Sequence, residues 1–229
     1  MFGIEANSHM AETVTVPDLA GFCAAFGAIG SKVGPRTGGA KRTQDEKEWF
    51  VVRRFLKVAL KEGIVTAPFS VQKQNPPLPD FGLQFGDAVV HLEVTEATHP
   101  DDQREMTVFE QSGTSAALLG TFGGRFAHGA SQPGRAWASD VMDAIERKVG
   151  KAIFGKSDVE RHLVIYPNSN ASMLLFDADD ERDAFGFLSE LIATRCDDLT
   201  EKANGCLVHV LGKEVAGFDL LGEANLVPR

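Results

Sequence analysis

The stretch Pro79-Asp80-Phe81-Gly82-Leu83-Gln84-Phe85-Gly86-Asp87-Ala88-Val89-Val90-His91-Leu92-Glu93-Val94-Thr95 decides how this chain folds. Gly86-Asp87 is a two-residue hairpin signal, with Gly in the first central place as a type II′ turn requires. With those two residues as the loop, Phe85 pairs with Ala88, Phe81 with Leu92 and Asp80 with Glu93; a symmetric four-residue loop keeps the same pairs. Side chains alternate along a strand. Phe81, Leu83 and Phe85 therefore share a core face with Ala88, Val90, Leu92 and Val94. The opposite face carries Asp80, Gly82 and Gln84 against Glu93, His91 and Val89, with Thr95 just beyond. Two carboxylates then stand directly across from each other, with Cβ atoms roughly 4.5–5.5 Å apart, and like charges so placed need compensation. Either the pair faces water, one acid holds a proton, or a hard divalent cation sits with them; Mg²⁺ takes one or two carboxylates together with waters and phosphate oxygens.

Around this hairpin the chain reads as a mixed α/β (α+β) protein, expected as a single domain over residues 10–225. Helices are expected over Leu19–Ile29, Thr43–Glu62, Ser139–Phe154 and Glu181–Thr200. The second of these opens with Thr43-Gln44-Asp45-Glu46, a capping-box spacing, and ends at Gly63. Its apolar stripe runs through Trp49, Val52, Leu56, Ala59 and Leu60; Arg53, Arg54, Lys57 and Lys61 lie largely off it and read as a solvated face. Strand chemistry fills Val65–Thr95, an apolar strand follows at His162–Tyr166, and Met173–Phe176 is a further apolar run. A terminal hairpin is expected from Leu207–Leu211 and Val215–Leu221 around Gly212-Lys213. The Gly-, Ser- and Thr-rich residues 99–138 read as a long flexible loop insertion. At the ends, Asn7-Ser8-His9-Met10 reads as a cloning junction and Leu226-Val227-Pro228-Arg229 as the stub of a cleaved tag. Residues 1–9 and 226–229 are left out of the fold argument, and the natural chain is expected to begin at Met10.

Composition removes several function classes. The 229 residues are 43% hydrophobic and 24% charged, as in ordinary globular proteins rather than disordered or fibrous ones. No apolar run is long enough for a membrane span and no secretory pattern opens the chain, so a membrane partner is not expected. Three widely spaced cysteines, Cys23, Cys196 and Cys206, form neither a disulfide framework nor a zinc pair. That fits a reducing cytoplasm. With 32 acidic against 23 basic residues the net charge is −9, which excludes coating nucleic acid by bulk charge but leaves room for a local basic groove.

Pro79-Asp80 followed by Glu93-Val94-Thr95 on the next strand resembles the PD-(D/E)xK nuclease superfamily, the restriction-endonuclease-like fold. The order of elements is similar too: a helix, a hairpin bearing the Asp and Glu, a second helix, then an apolar strand. The likeness covers about Thr43–Tyr166. It implies a mixed β-sheet core flanked by helices and a metal-dependent nuclease that hydrolyses phosphodiester bonds. The expected cofactor is Mg²⁺, with Mn²⁺ as its substitute, held by Asp80, Glu93 and the backbone carbonyl of Val94. The family's motif lysine falls at Thr95, which carries no charge. In some branches that lysine moves to the following helix, which here offers Lys148 and Lys151. The apolar stripe of that helix is Val141, Ala144, Ile145, Val149 and Ala152. Lys148 sits at its edge and is preferred over Lys151; alternatively its stem packs while its head reaches water. The acid that the family often places on the first helix matches Glu48, since Glu46 belongs to the capping box; Glu48 also reads as a first-turn acid favoured by the helix dipole. The implied catalytic set is thus Asp80, Glu93, Lys148 and Glu48. The implied partner is nucleic acid, DNA ahead of RNA, with Lys41, Arg42, Arg125 and Arg135 available to its backbone. A homodimer is compatible with the sequence but not derivable from it.

Two other readings stand beside this one. Thr95 and the acidic charge suit a nuclease-fold binding or scaffold protein without catalysis. Gly150-Lys151-Ala152-Ile153-Phe154-Gly155-Lys156-Ser157 matches the P-loop pattern of an NTPase, but a helix precedes it and a β-rich run follows, the reverse of the order that lets helix-start amides cradle phosphate. Asp177, Asp179, Glu181 and Asp183 fail as a calcium loop, because Arg182 and Leu188 stand where Gly and Glu are needed. The six histidines make no metal spacing. His91 reads as a surface histidine on the polar face of the hairpin, and Cys206 as a core thiol.

Overall fold

A computed structural model of the chain describes residues 12–31, 43–101, 103–104, 107–108, 132–149, 160–168, 178–203, 206–212 and 215–219. Seven strands lie in one mixed sheet in sequential order: β1 (Thr13–Val16), β2 (Phe69–Lys73), β3 (Phe81–Phe85), β4 (Ala88–Ala97), β5 (Arg161–Pro167), β6 (Leu207–Leu211) and β7 (Val215–Asp219). Neighbours are antiparallel except β4–β5 and β5–β6, which are parallel. Parallel neighbours need crossover connections. The first contains helix α3 (Pro133–Val149), the second α4 (Ala178–Thr194) and α5 (Cys196–Ala203). Helices α1 (Phe22–Phe26) and α2 (Gln44–Lys61) precede β2.

The sheet separates two cores. On one face α1 and α2 bury Phe22, Phe26, Trp49, Phe55 and Leu56 against Phe81, Leu92, Val94 and Val164. On the other, Trp137, Val141 and Ile145 of α3 and Leu188 of α4 pack on Leu163, Ile165, Val208 and Val210. Trp49 meets Phe81 edge-on, ring centres 4.7 Å apart, and Trp137 meets Phe185 likewise at 4.9 Å. Aromatic pairs prefer that geometry.

The hairpin register is the expected one: Phe85 pairs with Ala88, Leu83 with Val90 and Phe81 with Leu92. Gly86 supplies φ of +56° at the turn, which a side chain there would resist. Both capping-box bonds at α2 form: Glu46 N–H donates to Thr43 Oγ1 at 3.2 Å, and Thr43 N–H to Glu46 Oε2 at 2.9 Å.

Several expected boundaries are corrected. Residues 99–138 are not one loop: positions 100–101, 103–104 and 107–108 are helical, and α3 begins at Pro133, six residues before Ser139. Helix–helix packing explains the longer α3, since Gly134 lies against Ala184 of α4, where an added Cβ would come within 3.3 Å of its Cα. The first helix is only Phe22–Phe26, closed by Gly27 at φ +50°. The expected Glu181–Thr200 helix is two helices, α4 starting at Ala178 and a turn at Arg195 preceding α5. Val65–Thr95 resolves into β2, β3 and most of β4, and β1 was not anticipated. Met173–Phe176 and the P-loop-like residues 150–157 lie outside the described residues. No helix among the described residues is long and apolar enough to cross a membrane.

Candidate functional site

The site forms where β4 outruns β3. The paired register of β3 and β4 ends at Phe81–Leu92, while β4 runs on to Ala97. Beyond that point both backbone polar groups of Val94 meet side chains. Its N–H donates to Asp80 Oδ2 at 2.9 Å, and its carbonyl oxygen accepts from Lys148 Nζ at 3.3 Å. Lys148 Nζ also donates to Glu93 Oε1 at 2.6 Å. Asp80, Glu93 and Lys148 are thus linked through the backbone of Val94.

Each side chain is placed by its element. Leu92 and Val94 point into the α2 core, so Glu93 between them points toward α3, whose last turn holds Lys148. Glu93 is 6% exposed and the Lys148 side chain 14%. A nearly buried carboxylate needs a counter-charge, and Lys148 supplies it. On the α2 side Glu48, 8% exposed, accepts from Gln44 Nε2 at 2.7 Å and forms a close ion pair with Lys73 of β2. Lys73 also lies 3.8 Å from Asp45 and 4.7 Å from the centre of the Phe81 ring. Burial lowers its pKa, and the carboxylates of Asp80, Asp45 and Glu93 work against that lowering.

A cleft of about 350 Å³ opens along the unpaired edge of β4. Its walls are Gln44, Lys47, Glu48 and Val51 of α2, Val94, Thr95 and Glu96 of β4, Thr98 and Gln103 beyond it, and Arg147 and Lys148 of α3. Arg147 donates to the Glu96 carbonyl oxygen at 3.4 Å, so two consecutive basic residues donate to carbonyls of this edge. Asp80 and Glu93 touch the lining residues Val94 and Lys148 rather than lining the cleft themselves.

Of the expected site residues, Asp80, Glu93, Val94 and Lys148 are linked by hydrogen bonds, and Glu48 lines the same cleft as Val94 and Lys148. Thr95 lines the cleft. Lys151, Lys41, Arg42 and Arg125 lie outside the described residues. The Arg135 guanidinium stacks over Phe187 at 4.1 Å, away from the residues that line the cleft. Lys73 was missed. Its signal was the alternation Phe69, Val71, Lys73, which sets a charge on the inward face of β2.

Among the described residues no three His, Cys, Asp or Glu converge as a metal cage. The oxygens at hand are two carboxylates and one carbonyl near Val94, with Glu48 also lining the cleft. This hard-oxygen set suits Mg²⁺ or Mn²⁺, which keep waters and share substrate phosphate oxygens.

The histidines serve elsewhere. His91 Nδ1 shares a hydrogen bond with Gln74 Oε1 at 3.0 Å, and burial, then Arg161, lowers its pKa. His209 is hydrogen-bonded to His162 at 3.0 Å, and His162 to Glu160 at 2.7 Å; burial, reinforced by His162, pushes His209 down to about 3. Cys206 is a core thiol as expected, pushed up to about 12 by burial. Compared with known protein families, curated proteins and solved structures, the chain has no match.

Proposed function

We propose that this chain is a metal-dependent phosphodiesterase acting on nucleic acid, in the manner implied by its likeness to PD-(D/E)xK nucleases. The observation that carries the reading is the hydrogen bonding of Asp80 to the Val94 N–H, and of Lys148 to both the Val94 carbonyl and Glu93, at the edge of a polar cleft. Asp80, Glu93 and the Val94 oxygen would hold the ion, with Glu48 lining the same cleft. When bound, the ion neutralises phosphate charge and lowers the pKa of a water. Asp80 ties down the Glu93–Val94 peptide through the Val94 N–H, next to the carbonyl that would join it. Lys148, within reach of the cleft, donates to a phosphate oxygen and stabilises the charge that builds on it. Lys47 and Arg147 on the walls attract the backbone without reading sequence.

The test is hydrolysis of single- and double-stranded DNA and RNA in Mg²⁺ or Mn²⁺. Asp80→Asn and Glu93→Gln are each expected to reduce the rate by about 100-fold or more. Activity unchanged in both variants would falsify the reading. The ion pairing of Glu93 with Lys148 and of Glu48 with Lys73, together with Thr95, favours one second reading: a nuclease-fold protein that binds nucleic acid and leaves it uncut. Retention of the nucleic acid with no cleavage in either metal selects it.

A further inference from the structure

We infer that the Lys148 ammonium is the resident cation of this site, so that a divalent ion and a substrate phosphate load together. The inference rests on the phosphodiesterase reading above. Lys148 Nζ occupies two of the three groups assigned to the ion, Glu93 Oε1 at 2.6 Å and the Val94 oxygen at 3.3 Å. Lys148 and Val94 line the cleft whereas Glu93, 6% exposed, does not, so Lys148 joins the buried carboxylate to the cleft wall. The β3–β4 ladder ends at Phe81–Leu92, short of the Val94 oxygen. A cation is therefore the natural partner of both groups, and one is already in place.

A nearly buried carboxylate pays heavily for losing its counter-ion. A divalent ion entering here must displace the ammonium, and the displaced ammonium needs another anion. A phosphate in the cleft is that anion. Each ligand then favours the other, and the coupling is reciprocal. In the absence of substrate the site holds Lys148 and binds metal weakly.

Free Mn²⁺, followed by electron paramagnetic resonance during titration of the full chain, tests this. Lys148→Gln and Lys148→Met are expected to tighten Mn²⁺ binding about ten-fold. Lys57→Gln removes the same charge from an exposed residue of α2 that does not line the cleft and should change binding less than about two-fold, since that charge is screened. A phosphorothioate-linked thymidine dinucleotide should tighten Mn²⁺ binding to the unaltered chain about ten-fold, and have little effect in Lys148→Gln. Mn²⁺ binding that depends on Asp80 and Glu93 but is unmoved or weakened in both Lys148 variants overturns the inference and leaves the metal centre standing. Absence of Mn²⁺ binding in every chain, with or without the dinucleotide, overturns the inference and the phosphodiesterase reading together. If both Lys148 variants lose their far-ultraviolet circular dichroism, the dinucleotide experiment on the unaltered chain decides, and unchanged Mn²⁺ affinity there overturns the inference.

Discussion

Glu93 and Lys148 were legible because two independent periodicities aim them at one place. The two-residue turn sets the register of β3 and β4, and the helical wheel sets the edge of α3. Lys73 was not legible in the same way. Its partner Glu48 lies on α2, and no local rule connects a helix face with the inward face of a strand beside it. His209 belongs to the same class. A histidine within the apolar run Leu207–Leu211 gives no hint that it will stack near Phe55, ring centres 5.0 Å apart, and be hydrogen-bonded to His162. That burial has a measurable consequence. The folded-state pKa of His209 is about 3, below the model-peptide value of 6.5. Between those values the unfolded chain binds a proton that the folded one refuses. Stability is therefore full above about pH 6.5 and is lost as the pH falls toward 3, by at most about 1.4 kcal/mol per pH unit from this one group. In urea titrations across that window, His209→Phe should flatten the curve by that slope; a curve as steep as that of the unaltered chain means His209 titrates normally.

Among the elements, the hairpin and α2 were read almost to the residue because their signals are local: a glycine with positive φ, and a side chain that folds back on its own helix start. The start of α3 and the division of α4 from α5 were not, because they depend on how helices meet. Gly134 looked like a loop residue. It is a helix residue held at the point where α3 approaches the backbone of α4, with Ala184 Cα 3.3 Å and Ala184 N 3.4 Å from where a Cβ would stand. Gly186, on α4 itself, is exposed and has open space around it. The two glycines should respond in opposite directions. Gly186→Ala removes backbone freedom from the unfolded chain at no steric cost and should stabilise by about 1 kcal/mol. Gly134→Val forces the helices apart and should destabilise by about 2 kcal/mol. Urea midpoints followed by circular dichroism measure both. A stabilised Gly134→Val would show that the α3–α4 contact yields without strain.

At the scale of the whole molecule, the order helix, hairpin, helix, strand was readable, and so was the terminal β6–β7 hairpin at one end of the sheet, but the β1 end was not. Strand β1 is four residues long and precedes Pro17. Its inward residues Val14 and Val16 gain their burial only by pairing with β2, opposite Val71 and Phe69. The central strands bind the two cores into one unit. Leu92, Val94 and Val164 serve the α2 side, while Ala97, Leu163 and Ile165 of the same two strands serve the α3 side. Loosening either helical layer exposes one face of β4 and β5 and weakens the other, so the cores should unfold together. The chain's two tryptophans report on this separately, because Trp49 lies in one core and Trp137 in the other. In Trp137→Phe the fluorescence follows the α2 core, and in Trp49→Phe the α3 core. In each variant the urea transition seen by fluorescence should coincide with that seen by circular dichroism, as a two-state unit requires. If the Trp137 signal persists well past the circular dichroism midpoint of its own variant, the α3 core stands without α2. The cleft between those two layers would then have a hinge for its floor, whereas coincident transitions make it a rigid seat in which Asp80 and Glu93 keep their register with Lys148.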